Sequence, residues 1–258
     1  HGKDILIWGG SRRGTMYGVF AFLEQQLGVR WYTPEKTVVP SLREWSFGPL
    51  DHSETPAIKY RQTNYYAVEK DPAWNAHNRL NSLWNPVSNE YGGLDSYWGA
   101  HTMGWFVKPR KYFQTHPEYF CLWDGQRIPD GQPCLSNPEV LRICQEGLLQ
   151  AIDQNPACWV YSLSQNDNRK SCTCEQCLAL EEKYGGHSGI LLWFVNQVAD
   201  EVAKVHPDKY VGTFAYKQTR QAPTADIVPR DNVVIRLCDF ECCFAHPLSS
   251  CPRDSSFM

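Results

Sequence analysis

Apolar positions along the chain recur with a helical period in some segments and form short unbroken or alternating runs in others. Helical spacing predicts helices over residues 15–27, 72–80, 109–113, 138–153 and 189–205. Short apolar or alternating runs predict strands over residues 5–8, 58–66, 81–84, 132–136, 157–163, 210–216 and 232–237. After residue 57, strands and helices therefore alternate, which is the pattern of βα units.

This alternation predicts an α/β fold with a parallel sheet. Residues 157–163, ACWVYSL, are apolar enough to be buried on both faces, as parallel strands are. The expected fold for residues 57–258 is a (β/α)₈ TIM-barrel-like domain that is incomplete in this chain. Its strands one to six are residues 58–66, 81–84, 132–136, 157–163, 210–216 and 232–237. An open doubly wound sheet predicts the same order of elements. Residues 1–56, whose helix ends at Gly28, predict part of a small α/β domain and a linker.

Composition narrows the classes of function. The formal net charge is −3, and no run of lysines or arginines forms a basic stripe, so nucleic acid is not an expected partner. No stretch approaches the roughly 20 apolar residues that a membrane span needs. Aromatic residues make up 13% of the chain, with ten Trp and thirteen Tyr. Flat apolar rings with a polar edge suit the C–H faces of sugars, although most aromatic residues pack in cores.

The chemistry of a parallel sheet is expected where its strands end. Asp167 follows strand 157–163, and Asp239 and Glu241 follow strand 232–237. Glycosidases use two carboxyl groups, one to protonate the leaving oxygen and the other to activate water or attack the sugar. We therefore predict Asp167 as the general acid and Asp239 or Glu241 as the base or nucleophile. Helix capping, turn formation or pairing with arginines is the alternative role of these acids.

Other polar and aromatic residues are expected to hold a sugar. Tyr216, Lys217 and His246 are further polar residues that follow strands five and six. His101 lies in a loop too long to be a simple connector, although a structural histidine fits there too. Arg30 is placed to pair with a uronic acid carboxylate, and an inter-domain salt bridge is its alternative. The predicted substrate-binding residues are His101, Asn166, Arg30, Trp74 and Trp105.

The cysteines form a second candidate site. Cys172, Cys174 and Cys177 have the spacing C-x-C-x-x-C, and Cys134 follows the preceding strand. Four thiolates close a tetrahedral site of the structural zinc type. The chain has eleven cysteines, so disulfides, with residues 242 and 243 as further partners, are an alternative. Buried free thiols are a third interpretation.

Several segments resemble known families. The run GTMYGVFAFLEQQLGVRWYTP, residues 14–34, resembles the small α/β domain that precedes the catalytic barrel in bacterial α-glucuronidases of glycoside hydrolase family 67 and in β-hexosaminidase-like enzymes. The whole chain resembles the family catalogued as domain of unknown function 4838, found largely in carbohydrate-degrading bacteria. The matching segments are WNAHNRLN (74–81), HTMGWFVKP (101–109), YFQTHPEYF (112–120), QPCLSNPEV (132–140), the segment with Asp167 and the three clustered cysteines, and DNVVIRLCDFECCFAHPL (231–248).

The resemblance implies a barrel whose acid lies near the end of strand four, where Asp167 stands. It implies a glycoside hydrolase, α-glucuronidase-like or hexosaminidase-like, that acts on polysaccharide or oligosaccharide fragments containing uronic acid or N-acetylated sugars. A non-catalytic glycan-binding protein on the same fold is the alternative. Catalysis would need no cofactor, zinc would be structural, and the location would be periplasmic, extracellular or at the cell surface. A metal-dependent hydrolase is disfavoured because the thiol cluster has no open position.

Overall fold

The computed structural model describes residues 4–10, 12–82, 84–94 and 96–257. The chain divides into two units, His1–Tyr97 and Trp98–Met258. The segment near residue 56, which the sequence analysis places at a domain boundary, lies inside the first unit.

The first unit is built on two helices and a hairpin. Its elements are α1 (Gly14–Leu27), β1 (Arg30–Thr33), β2 (Lys36–Val38) and α2 (Pro72–His77), with 3₁₀ turns at Tyr66–Val68 and Asn89–Tyr91. Helix α1 ends because Gly28 adopts φ 72°, a left-handed conformation that glycine takes without strain. Strands β1 and β2 pair antiparallel. Phe20 of α1, Ala76 of α2 and Val87 are buried together and form the core of this unit.

The second unit contains the main sheet. Strand β3 (Ser96–Trp98) crosses the boundary between the units. The elements that follow in the second unit are α3 (Met103–Phe106), α4 (Pro109–Tyr112), β4 (Leu122–Trp123), β5 (Gln126–Arg127), α5 (Pro138–Gln154), β6 (Cys158–Ser162), α6 (Glu175–Tyr184), α7 (His187–Val205), β7 (Tyr210–Ala215) and β8 (Val233–Leu237). The strand order is β3-β6-β7-β8. The pairs β6/β7 and β7/β8 are parallel, with Tyr161 opposite Val211 and Val211 opposite Val233.

Two long helices pack with this sheet into one core. Helix α5 begins where the side chain of Asn137 accepts a hydrogen bond from the N–H of Glu139, at 2.9 Å. Its apolar stripe includes Leu148 and meets Phe194 of α7 in a core that also contains Tyr161 of β6. Helix α7 lies on the crossover connection from β6 to β7, which a parallel pair of strands needs.

The predicted helices and the strands four to six are confirmed within a few residues. Helix α6, strand β3 and the antiparallel hairpin of β4 and β5 were not predicted. The prediction of an α/β chain with a parallel sheet is confirmed, but the sheet of the described residues has four strands and does not close into a barrel. None of the described helices has the length and apolar character needed to cross a membrane.

The predictions of strands over residues 5–8, 58–66, 81–84 and 132–136 are wrong for the described residues, and Leu83 lies outside them. Around residue 60, asparagine side chains take the place of a strand partner. The amide of Asn81 accepts from the N–H of Arg61 and donates to the carbonyl of Lys59, and Asn85 accepts from the N–H of Thr63. These bonds satisfy the backbone without a ladder.

The segment 132–136 is held in a different way. Its one described bridge joins Pro133 to Phe120, and proline has no N–H to extend a ladder. The N–H of Gln132 donates instead to the carbonyl of Lys170, at 3.0 Å. The segment therefore lies against the loop after β6 as an irregular connection.

Substitution of Leu148 tests the packing of the core formed by α5, α7 and the sheet. Because its side chain is fully buried, Leu148→Ala is expected to lower the free energy of unfolding by about 2–5 kcal/mol. Leu178→Ala, the same change at a side chain that is 48% exposed, is the control and should stay within about 0.5 kcal/mol. Urea denaturation followed by circular dichroism measures both, and equal losses would contradict this core.

Candidate functional site

The carboxyl ends of β6, β7 and β8 lie at one edge of the sheet because these strands are parallel. The loop after β6 carries Asp167, the loop after β7 carries Tyr216 and Lys217, and the loop after β8 carries Glu241. Side chains from the three loops bind one another. This edge, which we call the carboxyl edge, is the first candidate site.

Asp167 is held by two donors from the loop after β7. Its Oδ1 accepts from the hydroxyl of Tyr216 at 2.8 Å and from Nζ of Lys217 at 2.6 Å. The side chain of Asp167 remains 59% exposed, whereas that of Lys217 is 18% exposed. The hydrogen bond from Lys217 lowers the pKa of Asp167 below its ordinary value, and the same bond raises the pKa of Lys217. Asp167 is therefore an ionised carboxylate with an open face.

His101 lies beside this pair. Its backbone N–H donates to Oγ of Ser164 at 2.8 Å, and its Nδ1 is 2.7 Å from the carbonyl oxygen of Gln165. A carbonyl only accepts, so Nδ1 carries the proton and Nε2 of the neutral ring is an acceptor. The ring centroid is 5.6 Å from that of Tyr216. When the ring is protonated, its positive charge adds to the lowering of the pKa of Asp167 that Lys217 and Tyr216 cause.

The backbone near Asp167 is strained at two positions. His101 and Lys217 both have φ 53°, and they are two of the four non-glycine residues with positive φ in the described chain. Such conformations cost on the order of 1–3 kcal/mol each and persist where surrounding contacts hold them. The two residues that adopt this conformation here are the ones that flank Asp167.

An aromatic surface adjoins the same carboxylate. Phe240, in the loop after β8, is 51% exposed, and its ring centroid is 5.1 Å from that of Tyr216. Sequence reasoning missed Phe240. The sequence signal available for it was a large aromatic residue between two acids at a strand end.

The acids after β8 differ from one another. Glu241 pairs with Arg169, which lies two residues beyond Asp167, and its Oε2 is 2.5 Å from Nη1 of Arg220. It therefore ties the three loops together, which is the arginine-pairing role predicted as an alternative for these acids. Asp239 is exposed, and its backbone carbonyl accepts from the N–H of Cys242 at 2.8 Å.

The predicted sugar-binding residues have different surroundings. Asn166 uses both ends of its amide on backbone: Oδ1 accepts from the N–H of Gly104 at 2.9 Å, and Nδ2 donates to the carbonyl of Gly131 at 2.9 Å. These bonds fix the loop that carries Asp167. Trp105 is about half exposed, and its ring meets that of Trp98 edge-on, with centroids 5.3 Å apart.

Two of the predicted residues belong to the first unit. Trp74 donates from Nε1 to the carbonyl of Trp31 at 3.1 Å. Arg30 donates to the carbonyls of Glu24 and Val29, at 2.6 and 2.7 Å. The bonds described for both side chains stay within that unit.

The cavities of the second unit limit where a sugar fits. One partly open cavity, lined in part by Gln132, Gln165 and Cys172, has a volume of about 30 Å³, which is far too small for a sugar ring. A depression of about 590 Å³, lined in part by Glu181 and His187, is open to solvent. Asp167 lines neither of these two cavities and its side chain is 59% exposed, so a ligand at Asp167 would lie on the open surface of the carboxyl edge.

The predicted cysteine set is brought together. Cys134, Cys172, Cys174 and Cys177 are all buried, and their sulphur atoms lie within 4.8 Å of one another. The sulphur of Cys134 is 3.7 Å from those of Cys174 and Cys177. Four Zn–S bonds of about 2.3 Å in a tetrahedron separate the sulphurs by about 3.8 Å. We call these four residues the four-cysteine cluster, and its donor set and spacing fit a zinc ion.

Hydrogen-bond donors surround two sulphurs of the four-cysteine cluster. The N–H of Leu122 donates to the sulphur of Cys172 at 3.3 Å, and the guanidinium of Arg127 lies 3.6 Å from it. Both donors come from the β4–β5 hairpin, which turns at Gly125 with φ 77°. Hydrogen bonds from Cys172 and Cys177 hold the pKa of Cys134 well below its ordinary value, and the same bonds raise the pKa of Cys172 and Cys177, so the thiolate lies at Cys134. Such donors around a cluster are what a metal site uses to orient its ligands.

All eleven cysteines are described, and each is a free thiol in the structure. The separations of 3.7 Å exceed the S–S bond of about 2.05 Å, so the four-cysteine cluster is not a pair of disulfides. Of the three interpretations of the cysteines, disulfide bonding is the one that the geometry does not support.

The fold and the site define a class: an α/β protein with a parallel sheet, a carboxylate edge and a buried cluster of four thiols. The chain belongs to the family described as Domain of unknown function (DUF4838), which matches residues 31–258. This confirms the predicted resemblance to that family, while the resemblance to α-glucuronidases and β-hexosaminidase-like enzymes stays a prediction. Comparison with curated proteins finds no match, and comparison with solved structures finds none either.

The ion pair at Asp167 predicts a pH dependence. Its lowered pKa means that the pair stabilises the fold above the ordinary carboxyl range and that this contribution is lost as the pH falls through the lowered pKa. Lys217→Met is expected to raise the pKa of Asp167 toward its ordinary 3.8. Carboxyl ¹³C NMR measures this titration.

The control is Lys170→Met, which removes the lysine that pairs with Asp130 at 2.6 Å. It should leave the pKa of Asp167 unchanged. A pKa of Asp167 that is the same in the wild type and in Lys217→Met would contradict the ion pair.

Proposed function

We propose that the carboxyl edge binds and hydrolyses glycans. The observation that carries this proposal is the pairing of an exposed, ionised Asp167 with the aromatic surface of Tyr216 and Phe240. Aromatic rings stack on the C–H faces of sugars, and a carboxylate beside the ring can act on the bond that the stacked sugar presents. The parallel sheet and its helices also support the proposal that this unit is part of a (β/α)₈ barrel.

The geometry changes the proposed role of Asp167. A general acid must carry a proton, whereas the bonds from Lys217 and Tyr216 stabilise the ionised form of Asp167. We therefore assign Asp167 to the base or nucleophile, and we propose Asp239, an exposed carboxyl after β8, as the partner carboxyl group. Glu241 is already bound to two arginines and acts in this proposal by fixing the loops.

Other residues would orient the sugar. Nε2 of His101 accepts a hydrogen bond from a hydroxyl when the ring is neutral, and the ammonium of Lys217 attracts an acidic sugar as well as Asp167. The open surface favours an oligosaccharide or a polysaccharide fragment over a single sugar. Trp105 is exposed enough to contact a longer ligand. A binding role for Trp74 and Arg30 stays a prediction.

A second candidate is a non-catalytic glycan-binding protein. Both Asp167 and Glu241 are held in ion pairs, which is the common state of structural carboxylates at protein surfaces. The aromatic surface would then bind sugars without bond cleavage. Hydrolysis and binding assays together separate the two candidates.

The four-cysteine cluster is proposed to bind a structural zinc ion. Four buried thiols at tetrahedral spacing, with Leu122 and Arg127 donating to one of them, support this assignment. Four protein ligands leave no coordination position for substrate, so the ion would stabilise the loop between Cys172 and α6.

The hydrolysis proposal is tested with a panel of uronic acid and N-acetylated oligosaccharides. Asp167→Asn is expected to lower kcat/KM by about 100-fold or more, since acid–base groups contribute roughly 10²–10⁴. The matched control is Asp208→Asn, which removes another lysine-paired aspartate, just before β7 at the opposite end of that strand. Equal activity of the two variants would contradict a catalytic Asp167. Binding of the panel without hydrolysis would favour the second candidate.

The zinc proposal is tested by elemental analysis and thermal denaturation. Cys174→Ser is expected to lower the zinc content by one ion per chain and to lower the melting temperature, because a closed zinc site contributes to folding. The control is Cys238→Ser, a cysteine outside the four-cysteine cluster. A zinc content that is the same in both variants would contradict the assignment.

A further inference from the structure

A second group of metal-binding side chains lies in the loop after β8. Cys243, His246 and Cys251 place two sulphurs and one ring nitrogen within 4.8 Å of one another. Among the described residues, the group contains only these three metal-binding side chains. Both cysteines are buried, whereas His246 is exposed. One side of the group therefore faces solvent.

The distances suit a metal ion. Nδ1 of His246 is 3.2 Å from the sulphur of Cys243 and 3.9 Å from that of Cys251. With Zn–S bonds of about 2.3 Å and a Zn–N bond of about 2.0–2.1 Å, a tetrahedral site separates sulphur from nitrogen by about 3.6 Å. The two observed distances lie on either side of this value, so a small movement of one ring brings all three ligands into range.

A buried carboxylate points independently to a cation. Asp254 is 1% exposed, and its Oδ1 accepts from the N–H of Cys243 at 2.8 Å. Its Oδ2 is buried and has no hydrogen-bond partner among the described residues. A buried charge without compensation is costly, and a divalent cation at the adjacent thiols would supply the compensation. Carboxylates just outside the ligand set are typical of metal sites.

We propose that Cys243, His246 and Cys251 bind a zinc ion in a second site with three protein ligands and a fourth position open to solvent. This arrangement differs from the four-cysteine cluster, where four buried ligands close the site. Zinc sites that act on substrates keep such an open position, which water or an anionic oxygen of a ligand fills. The site shares the loop after β8 with Glu241, and it does not depend on the proposed glycan hydrolysis.

The test compares two histidine variants of the full chain. Native mass spectrometry counts zinc ions after equilibration with zinc alone. His246→Ala is expected to bind one ion fewer than the wild type, while His116→Ala, which changes an exposed histidine that contacts Glu118, binds the same number as the wild type. His246 is exposed, so its loss leaves the core intact, and circular dichroism checks this. The difference of one ion is expected whether or not the four-cysteine cluster binds zinc.

Asp254→Asn gives a second measurement. Asparagine keeps an oxygen for the N–H of Cys243 but removes the charge, so zinc affinity at this site should fall by about 10–100-fold, as for other outer residues of metal sites. A chelator added at increasing concentration should remove this ion before the ion of the four-cysteine cluster, because this site has one protein ligand fewer. Equal zinc counts in the wild type and in His246→Ala would overturn the proposal. So would a peptide map that shows Cys243 and Cys251 joined as a disulfide.

Discussion

The parallel pairing of β6, β7 and β8 is the constraint on which the rest of the second unit depends. Parallel strands require crossover connections, and the connection from β6 to β7 contains α6 and α7. All three strands then end at the same edge, so their loops meet there. The contacts of Asp167 with Tyr216 and Lys217 follow from this arrangement, as does the contact of Arg169 with Glu241.

The loop after β6 connects the two candidate sites. Within a few residues it passes from Asp167 at the carboxyl edge to Cys172 of the four-cysteine cluster. Gln132 holds the middle of this loop, because its amide accepts from the N–H of Asn166 and donates to the carbonyl of Asn168. A zinc ion in the four-cysteine cluster would therefore also stiffen the backbone that presents Asp167.

Helices, strands and clusters that depend on a local pattern of residues are predicted well from the sequence. Strands four to six are short apolar runs between turn residues, and α5 and α7 have strong helical periods, so both kinds of element were found. The four-cysteine cluster was found because C-x-C-x-x-C is a local signal. The strand predicted over residues 58–66 was wrong because its backbone N–H groups donate to Asn81 and Asn85, which lie about twenty residues away in the sequence.

The sequence could not predict side-chain partners. Nothing in the spacing of Asp167 and Lys217 shows that they pair at 2.6 Å, and this pair reverses the expected protonation of Asp167. Phe240 was likewise recognised only from its contact with Tyr216. Partners of this kind depend on how loops fold against one another, which propensity and periodicity do not encode.

The central claim is that a glycan binds at the carboxyl edge beside Asp167. The most direct measurement is ¹⁵N NMR of the histidine rings while an acidic oligosaccharide is added. The account predicts that the signals of His101 shift on binding, because its ring lies against Tyr216, and that those of His116 do not. Binding that leaves His101 unchanged would contradict the claim, since the ligand would then occupy another surface.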